Sequence, residues 1–566
     1  MMFRFRKKKQ YNTVDPDEIF LDSKNLPQFN TQQFEGRLEK TIPKRTIRFL
    51  AFFLLLVSGV FLYKLSILQV VKGEAYLKRS EDNTLSTIPV VASRGIIYDR
   101  NNVRLAWNGW PDELEIPEDT FPDRTYINKE GFAHILGYVS YPAKDKSGKY
   151  WQDTFIGKDG LEKFYDEILK GQNGVRITEV DVKGNIKSEN IVTPPEHGHD
   201  LVLSVDSRIQ EKLYQSIKAM AKNAQFSGGA GVFMDIANGE VLALTSYPEY
   251  NPNILSKGKE AKIINEYLND SRKVFLNRAT SGLYTPGSIV KPFIGYGALV
   301  EGVISPTKTI LSNGSLSIPN PYFPDQKSVF NDHGVFGYVD MAKAIAVSSD
   351  VYFYQIGGGY QSQKGLGIYN IDKYSKLFGI GDETGIDLNK EAKGLIPTPE
   401  WKFETFKGDQ WRVGDTYNTS IGQYGFQVTL LEMVRAVASL GNGGYLMTPH
   451  LLKDDFKLSA RKEKLSLDSQ AIEIVNKGMR QAVTEGTATA LNIADIKVAA
   501  KSGTAQLGVG NTNTNSWIIG FFPYENPKYA FAVLMERGPK EASGNATRVA
   551  SEVIDFMKLN TPEYIQ

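Results

Sequence analysis

The chain has 566 residues, which is more than one compact domain usually holds and enough for two or three. Its formal net charge is only +2, so its overall charge does not indicate nucleic acid as a partner. The sequence contains no cysteine, which excludes disulfides, thiol nucleophiles and thiolate metal sites. The five histidines are scattered along the chain, so we expect no metal centre. If the chain had one, the neighbouring Asp332 and His333 would be the first candidates for its ligands.

The first predicted element is an uncharged apolar stretch from Phe49 to Tyr63. Apolar character extends over 47–68, which is long enough to span a bilayer if Lys64 reaches the interface. A buried core helix is the alternative, because the run without any charge is short. Basic residues directly upstream favour the membrane interpretation; they are Lys40, Lys44, Arg45 and Arg48.

The basic residues also indicate a direction across the membrane. By the positive-inside rule we predict a cytoplasmic tail at 1–46, a transmembrane anchor at 47–68, and the rest of the chain outside. No cleavage site with small residues follows the apolar run, so the segment is typical of an uncleaved signal anchor in a single-pass protein of the cytoplasmic membrane.

The exported part divides by its sequence pattern near residue 196. Short strand-like runs and polar turns fill 69–196 and indicate a small mixed domain. After residue 197 the pattern predicts a helix over 207–224, a hairpin that turns at 237–239, C-terminal strands and a closing helix near 545–559. We therefore expect helices around a sheet in the last part of the chain.

A serine–lysine pair is the first candidate for chemistry, because the chain lacks a thiol and a convincing histidine triad. Ser288 and Lys291 are three residues apart, which places both side chains on one face of a helix beginning near Pro286-Gly287. The same spacing follows Ser256, Ser305 and Ser459, so the pattern alone is weak. Around Ser288, aromatic and apolar neighbours would bury the lysine and lower its pKa.

Two further short motifs follow. In Ser348-Ser349-Asp350 a hydroxyl could relay a proton and the carboxyl could orient the lysine. Taken alone, the motif favours capping of the next helix, and both interpretations can hold at once. Lys501-Ser502-Gly503-Thr504 has the pattern of a strand edge, where glycine admits substrate to the backbone and Lys501 and the hydroxyls bind a carboxylate. The amides of Thr504 and Ser288 could form an oxyanion hole.

The three motifs in this order are those of penicillin-recognising enzymes. With four further segments, the sequence resembles the class B penicillin-binding proteins; the segments are Arg94 to Asn101, Ala133 to Tyr138, Gly157 to Glu162 and Tyr417 to Gln423. The resemblance implies an α+β fold: a penicillin-binding, serine β-lactamase-like transpeptidase domain at 197–566, with a central antiparallel sheet and helices, on an elongated pedestal domain at 69–196.

The resemblance also implies a reaction. Ser288 would attack the D-Ala–D-Ala bond of a peptidoglycan stem peptide, with Lys291 as general base. Ser348 and Lys501 would pass the proton to the departing D-alanine. The substrate would be bound by Asp350, Ser502, Gly503 and Thr504. The acyl group would pass to the amine of a neighbouring stem, and β-lactams would be trapped on the same serine.

The expected partners follow from the resemblance as well. They are stem peptides, β-lactams and a separate polytopic glycosyltransferase of the SEDS type, contacted through the membrane helix and pedestal. No cofactor is expected. Some relatives bind a metal near the active site, but without cysteine the surroundings of His333 offer at most a partial ligand set. Asp350 stands where asparagine is more frequent, which favours a role in cell elongation over division.

Different functions remain as alternatives. A β-lactam sensor acylated at Ser288 would need a cytoplasmic effector larger than 46 polar residues. A catalytically silent scaffold for wall synthesis would not need three intact motifs. A carboxypeptidase or β-lactamase does not typically carry this pedestal.

Overall fold

The computed structural model describes residues 43–77, 85–109, 121–146, 150–180, 186–320, 323, 325–508, 510, 512–542 and 544–565. The chain divides into two compact units. The first comprises 1–86 and 180–185, and the second comprises 87–179 and 186–566. Most of the predicted cytoplasmic tail, residues 1–42 with Lys40, lies outside the described residues.

The first unit contains the anchor helix, Lys44–Ser66, which continues as a π-helix over Ile67–Val71. None of its side chains is buried, and Phe49 and Leu55 are 71% and 72% exposed. So large an apolar surface is unstable in water and needs a cover such as lipid. Among the described residues it is the one helix long and apolar enough to cross a membrane, and it contains the predicted span.

The second unit is built around a central sheet of five antiparallel strands. In spatial order they are Val241–Tyr247, Gly228–Asp235, Tyr529–Pro539, Asn513–Phe522 and Ala499–Leu507. The predicted hairpin is confirmed, since 237–239 joins the first two strands, which pair directly. The strand Ala499–Leu507, which carries the Lys501 motif, lies at one edge and is called the KSGT strand below.

Helices cover both faces of the central sheet, which explains why its strands are apolar at successive positions rather than alternate ones. On one face Phe233, Ile518 and Phe531 pack with the helices Ser207–Asn223 and Ala546–Asn560. On the other, Trp517 and Leu534 belong to a larger core that includes the helices Lys291–Val300 and Leu430–Gly441. The α+β fold and both predicted helices are confirmed, with ends within a residue of those expected.

The segment predicted as a pedestal contributes three strands to a small sheet, whose spatial order is Leu201–Val202, Ile97–Tyr98, Arg104–Gly109, Asp123–Tyr126. Beside it Glu162 accepts from Arg94 Nε at 2.5 Å and Arg124 Nε at 2.7 Å, and all three side chains are fully buried. The first strand pairs across the predicted boundary at 196/197, so Leu201 is opposite Ile97. That boundary stays a prediction.

The remaining elements are short or connect these layers. The other helices are Ala133–Leu136, Gly160–Phe164, Asp166–Leu169, Pro252–Lys257, Ala261–Asn269, Met341–Val347, Asp350–Gly358, Ile368–Leu377, Pro399–Thr405, Val413–Ser420, Phe456–Ser459 and Ser469–Glu485, with 3₁₀ turns at Gly287–Val290, Thr489–Leu491 and Pro562–Tyr564. The other strands are Leu85–Val90, Val139–Ser140, Ala143–Lys144, Tyr150–Gln152, Ile156–Gly157, Gly174–Val180, Ile186–Thr193, Ile310–Ser312, Ser315–Pro319, Lys327–Asn331, Gly337–Val339, Tyr445–Met447 and Lys462–Lys464.

Candidate active site

Ser288 lies in a 3₁₀ turn, Gly287–Val290, which leads directly into the helix Lys291–Val300. We call it the nucleophile turn. Gly287 has a φ of +59°, and a Cβ there would lie 2.7 Å from the carbonyl oxygen of Thr504. Only glycine accepts both the left-handed backbone and this close approach. The sequence predicted a helix start here, and the structure has a 3₁₀ turn at this place, packed closely against the KSGT strand.

Neighbouring segments hold this turn on two more sides. Gly287 donates its amide to the carbonyl of Gly422 at 2.9 Å, and Trp517 Nε1 donates to the carbonyl of Thr285 at 3.1 Å. Ser288 is half-buried. The turn is therefore fixed by backbone contacts while its serine remains open to a ligand.

Lys291 is fully buried and charge-paired. Its Nζ donates to Asp350 Oδ1 and to the carbonyl of Ser348, both at 2.6 Å, and it lies over the ring of Phe353. Burial opposes ionisation of Asp350, but Lys291 and His333 outweigh it, so the pKa of Asp350 lies below its usual value. Within the described residues no hydrogen bond joins Lys291 Nζ to Ser288 Oγ. Such contacts often tighten only when substrate is bound.

Ser348 links the two lysines. It ends the helix Met341–Val347 in a left-handed conformation, φ +62°. Its Oγ accepts from Lys501 Nζ at 2.9 Å and lies 3.4 Å from Lys291 Nζ. The alternative interpretation of this motif also holds, because the next residue, Ser349, caps the helix Asp350–Gly358 by accepting from the amide of Tyr352.

Lys501 is fully buried at the edge of the central sheet. Burial and the positive charge of Lys291 hold the pKa of Lys501 well below its usual value, although Asp350 opposes the shift. A buried amine with a lowered pKa, in contact with a hydroxyl, can take part in proton transfer.

The rest of the KSGT strand faces the nucleophile turn. Ser502 is half-buried and Thr504 is exposed. A Cβ at Gly503 would lie 2.8 Å from Ile289 Cγ2 and 3.0 Å from the carbonyl of Pro286. The sequence-based reason for this glycine was substrate access to the backbone, whereas in the structure the glycine admits the nucleophile turn itself.

A buried carboxylate that motif analysis did not assign organises the second motif. Asp332 Oδ2 accepts from Ser349 Oγ at 2.8 Å, Ser312 Oγ at 3.0 Å and the amide of Val351 at 2.9 Å. Through these hydrogen bonds Asp332 holds the loop Ser348–Asp350 in place. The sequence pointed to Asp332 only as a metal-ligand type beside a histidine, because a single carboxylate gives no spacing signal.

His333 completes this cluster at the surface. Its Nδ1 lies 3.0 Å from Asp332 Oδ1 and 3.8 Å from Asp350 Oδ2, and the hydrogen bonds to these carboxylates raise the pKa of His333 to about 9. Ligand atoms of Asp332, His333 and Asp350 lie within 4.8 Å of one another, so this set of two carboxylates and one imidazole could hold a metal ion. An ion there would compete with Lys291 for Asp350.

Two models of known protein families match segments of this chain. A family model described as Penicillin binding protein transpeptidase domain matches residues 229–555. A second model, Penicillin-binding Protein dimerisation domain, matches residues 116–203.

Individual relatives match over most of the chain. Peptidoglycan D,D-transpeptidase MrdA of Salmonella typhimurium is 30% identical over 92% of this chain and 96% of its own length. The crystal structure of Pseudomonas aeruginosa PBP2 in complex with WCK 5153 is 32% identical, with a TM-score of 0.66, and covers 83% of this chain and 97% of that one. A complex between PBP2 and MreC from Helicobacter pylori has a TM-score of 0.69 at 27% identity, covering 84% of this chain and all of that one.

Proposed function

Because the chain belongs to the penicillin-binding protein transpeptidase family, we propose that Ser288 is the nucleophile of a peptidoglycan D,D-transpeptidase. The observation that carries this assignment is a continuous contact path beside the nucleophile turn. It runs from Asp350 to Lys291, from Lys291 to Ser348, and from Ser348 to Lys501. These groups supply an acid, a base and a relay, and Lys291 follows the half-buried Ser288 by three residues.

Acylation then follows from the positions of these groups. Ser288 Oγ attacks the carbonyl carbon of the penultimate D-alanine, and its proton passes to Lys291 once that amine is neutral. The C–N bond breaks as Ser348 Oγ delivers a proton to the departing D-alanine and is reprotonated by a lysine. The net proton transfer is from Ser288 to the leaving amine, so both lysines return to their starting states.

The KSGT strand binds the substrate and helps to stabilise the transition state. Ser502 and Thr504 donate to the terminal carboxylate of the donor stem, and the amides of Ser288 and Thr504 receive the developing oxyanion. The amine of a second stem peptide then attacks the acyl-enzyme to form the cross-link. A β-lactam that mimics the acyl-D-Ala-D-Ala terminus acylates Ser288 and remains there.

The anchor helix supports a membrane location. We propose that 47–68 spans the cytoplasmic membrane once, with the 1–46 tail inside, and that the pedestal at 69–196 and the transpeptidase domain at 197–566 lie outside. Lys44, Arg45 and Arg48 at the N-terminal end of the helix support this direction.

The cellular role proposed is cell elongation. Asp350 in the second motif supports it, as does similarity to relatives named MrdA and PBP2. Polymerisation of glycan strands would be left to a SEDS-type glycosyltransferase contacted through the anchor helix and pedestal. The H. pylori relative was solved in complex with MreC, which supports membrane-complex partners for this chain too.

Covalent labelling tests the nucleophile. The full-length protein in detergent and its Ser288→Ala variant are incubated with a fluorescent penicillin and examined by gel and intact mass. We expect label on the parent and none on the folded variant. A well-folded parent that takes no label from several β-lactams would favour the non-catalytic scaffold instead, and label on the variant would assign the nucleophile elsewhere.

A further inference from the structure

Thr487 lies outside all three motifs but contacts the third. It follows the helix Ser469–Glu485 in a turn, and its side chain is exposed. Thr487 Oγ1 lies 2.6 Å from Ser502 Oγ, with the serine donating. The contact joins a residue 15 positions upstream to the hydroxyl expected to bind the substrate carboxylate.

The backbone of Thr487 is fixed independently of that contact. Its amide donates to the carbonyl of Ala346 at 3.2 Å, two residues before Ser348. Ala488 in turn donates to the carbonyl of Ala482 at 2.9 Å. The hydroxyl of Thr487 is therefore held at a set place between the Ser348 loop and the KSGT strand.

Hydroxyl protons reorient to suit their partners. When a carboxylate binds beside the KSGT strand, Ser502 must donate its proton to the anion rather than to Thr487. Thr487 can then reverse its role and donate to Ser502 Oγ, because its own hydroxyl carries a proton and is already at hydrogen-bond distance. A chain of two hydroxyls that ends on an anion is polarised along its length and binds the charge more strongly than one hydroxyl alone.

Resting on the function proposed above, we propose that Thr487 is a positioning residue that makes the donor site selective for a free terminal carboxylate. It acts through Ser502 and does not touch the reacting atoms. An esterified substrate carries no negative charge to polarise the two hydroxyls of Thr487 and Ser502. Thr487 therefore favours a substrate with a free carboxylate over its ester.

The test compares two probes of one shape, benzylpenicillin and its methyl ester, by the rate constant for acylation of the full-length protein. We expect Thr487→Val to slow acylation by the acid about tenfold, the scale of one hydrogen bond to a charged group, and to leave the ester within about twofold. Thr487→Ser keeps the hydroxyl and should keep the parent's preference. Thr484→Val, on the preceding helical turn, is the matched control and should change neither rate, since among the described residues the Thr484 hydroxyl hydrogen-bonds to the carbonyl of Gln481, away from the KSGT strand.

The possible outcomes distinguish a role of Thr487 in carboxylate selectivity from a structural role or none. An equal loss with both probes would mean that Thr487 only supports the fold, and unchanged rates would remove its role altogether. If Thr487→Val does not fold, Ser502→Ala must lose the same preference, and its retention overturns the proposal. A parent that benzylpenicillin does not acylate at all refutes the proposed nucleophile, whereas an acylated parent with an unaltered preference refutes the role of Thr487 alone.

Discussion

Two buried lysines share one hydroxyl at the centre of the site, and their charges oppose each other. Lys291 is balanced by Asp350, whereas Lys501 has hydrogen bonds to Ser348 Oγ and the carbonyl of Ser502 and, in the part of the chain that the structure describes, no ion pair with a carboxylate. One lysine therefore stays paired while the other readily loses its proton. This asymmetry suits the proposed mechanism, because a neutral Lys501 can take a proton from Lys291 through Ser348 Oγ and so leave Lys291 neutral to accept the proton of Ser288.

At the residue scale we predict that Lys501→Met lowers activity and also changes how the stability of the protein depends on pH. Penicillin acylation should fall about 100-fold or more, the scale of a lost proton-transfer group. The pKa of Lys501 in the folded protein lies below its usual value, so at a pH between the folded and unfolded pKa values the unfolded chain holds one more proton than the folded chain. Stability of the parent relative to the variant should therefore rise with pH in that window, by up to about 1.4 kcal/mol per pH unit.

Denaturant unfolding of both proteins at pH 7 and pH 9 measures this difference. A parent that loses stability relative to the variant as pH rises would contradict a depressed pKa. Lys497→Met, on an exposed side chain paired with Glu525, is the control and should show no comparable pH dependence.

The sequence identified the residues that lie in short motifs and missed those that act alone. Ser288, Lys291, Ser348 and Lys501 were found because serine and lysine at fixed spacing have a chemical meaning. Asp332 supports the second motif from 16 residues before Ser348, and no pattern connects the two in sequence. Its role depends on three donors that converge only in the folded chain.

At the scale of elements, the nucleophile turn shows how tertiary contact changes local structure. Pro286-Gly287 correctly indicated a helix start, but nothing in the sequence indicated that this start is a 3₁₀ turn or that Thr504, more than 200 residues later, lies against it. A sequence pattern indicates periodicity and helix caps, but it does not indicate which distant strand will contact a turn.

We predict that Gly287→Ala disables the turn. A Cβ would lie 2.7 Å from the Thr504 carbonyl and the backbone has φ +59°, so either the KSGT strand or the turn must move. Penicillin acylation should fall by at least about tenfold and stability by about 1–3 kcal/mol. The measurements are the acylation rate and the melting temperature.

Gly258→Ala is the matched control for backbone strain. Its φ is +63°, but no atom lies within 4 Å of the added Cβ. It should cost about 1 kcal/mol of stability and leave acylation unchanged. Equal effects of the two substitutions on acylation would show that contact with the KSGT strand is not what positions Ser288.

At the scale of the whole molecule, the buried charges of the predicted pedestal are a point of vulnerability. Glu162 lies between Arg94 and Arg124 with no solvent access, and the two guanidinium groups overcome the cost of burial to hold its pKa below the usual value. Removing the carboxylate leaves two cations with less compensation in a dry environment.

We therefore expect Glu162→Gln to destabilise the protein by about 3–5 kcal/mol. Residues 87–179 and 186–566 form one compact unit, so we expect penicillin labelling and secondary structure to be lost at the same, lower temperature. Glu167→Gln is the control, because its carboxylate is 83% exposed and pairs with Lys170 at the surface. Labelling that survives the loss of pedestal structure would show that the two predicted domains unfold separately.

The order of strands in the central sheet has a consequence for how the enzyme is made. The strand Tyr529–Pro539 is the last to be synthesised, yet it lies in the middle of the sheet, and Ser227 bonds with Glu536, 309 positions away. A growing chain that has already emerged past Ser288 still lacks the KSGT strand and Trp517, which hold the nucleophile turn. Contacts so distant in sequence form late and slowly. The nucleophile turn therefore cannot take its final geometry until the last strand has been inserted, so we expect an incomplete chain to be unreactive toward a β-lactam.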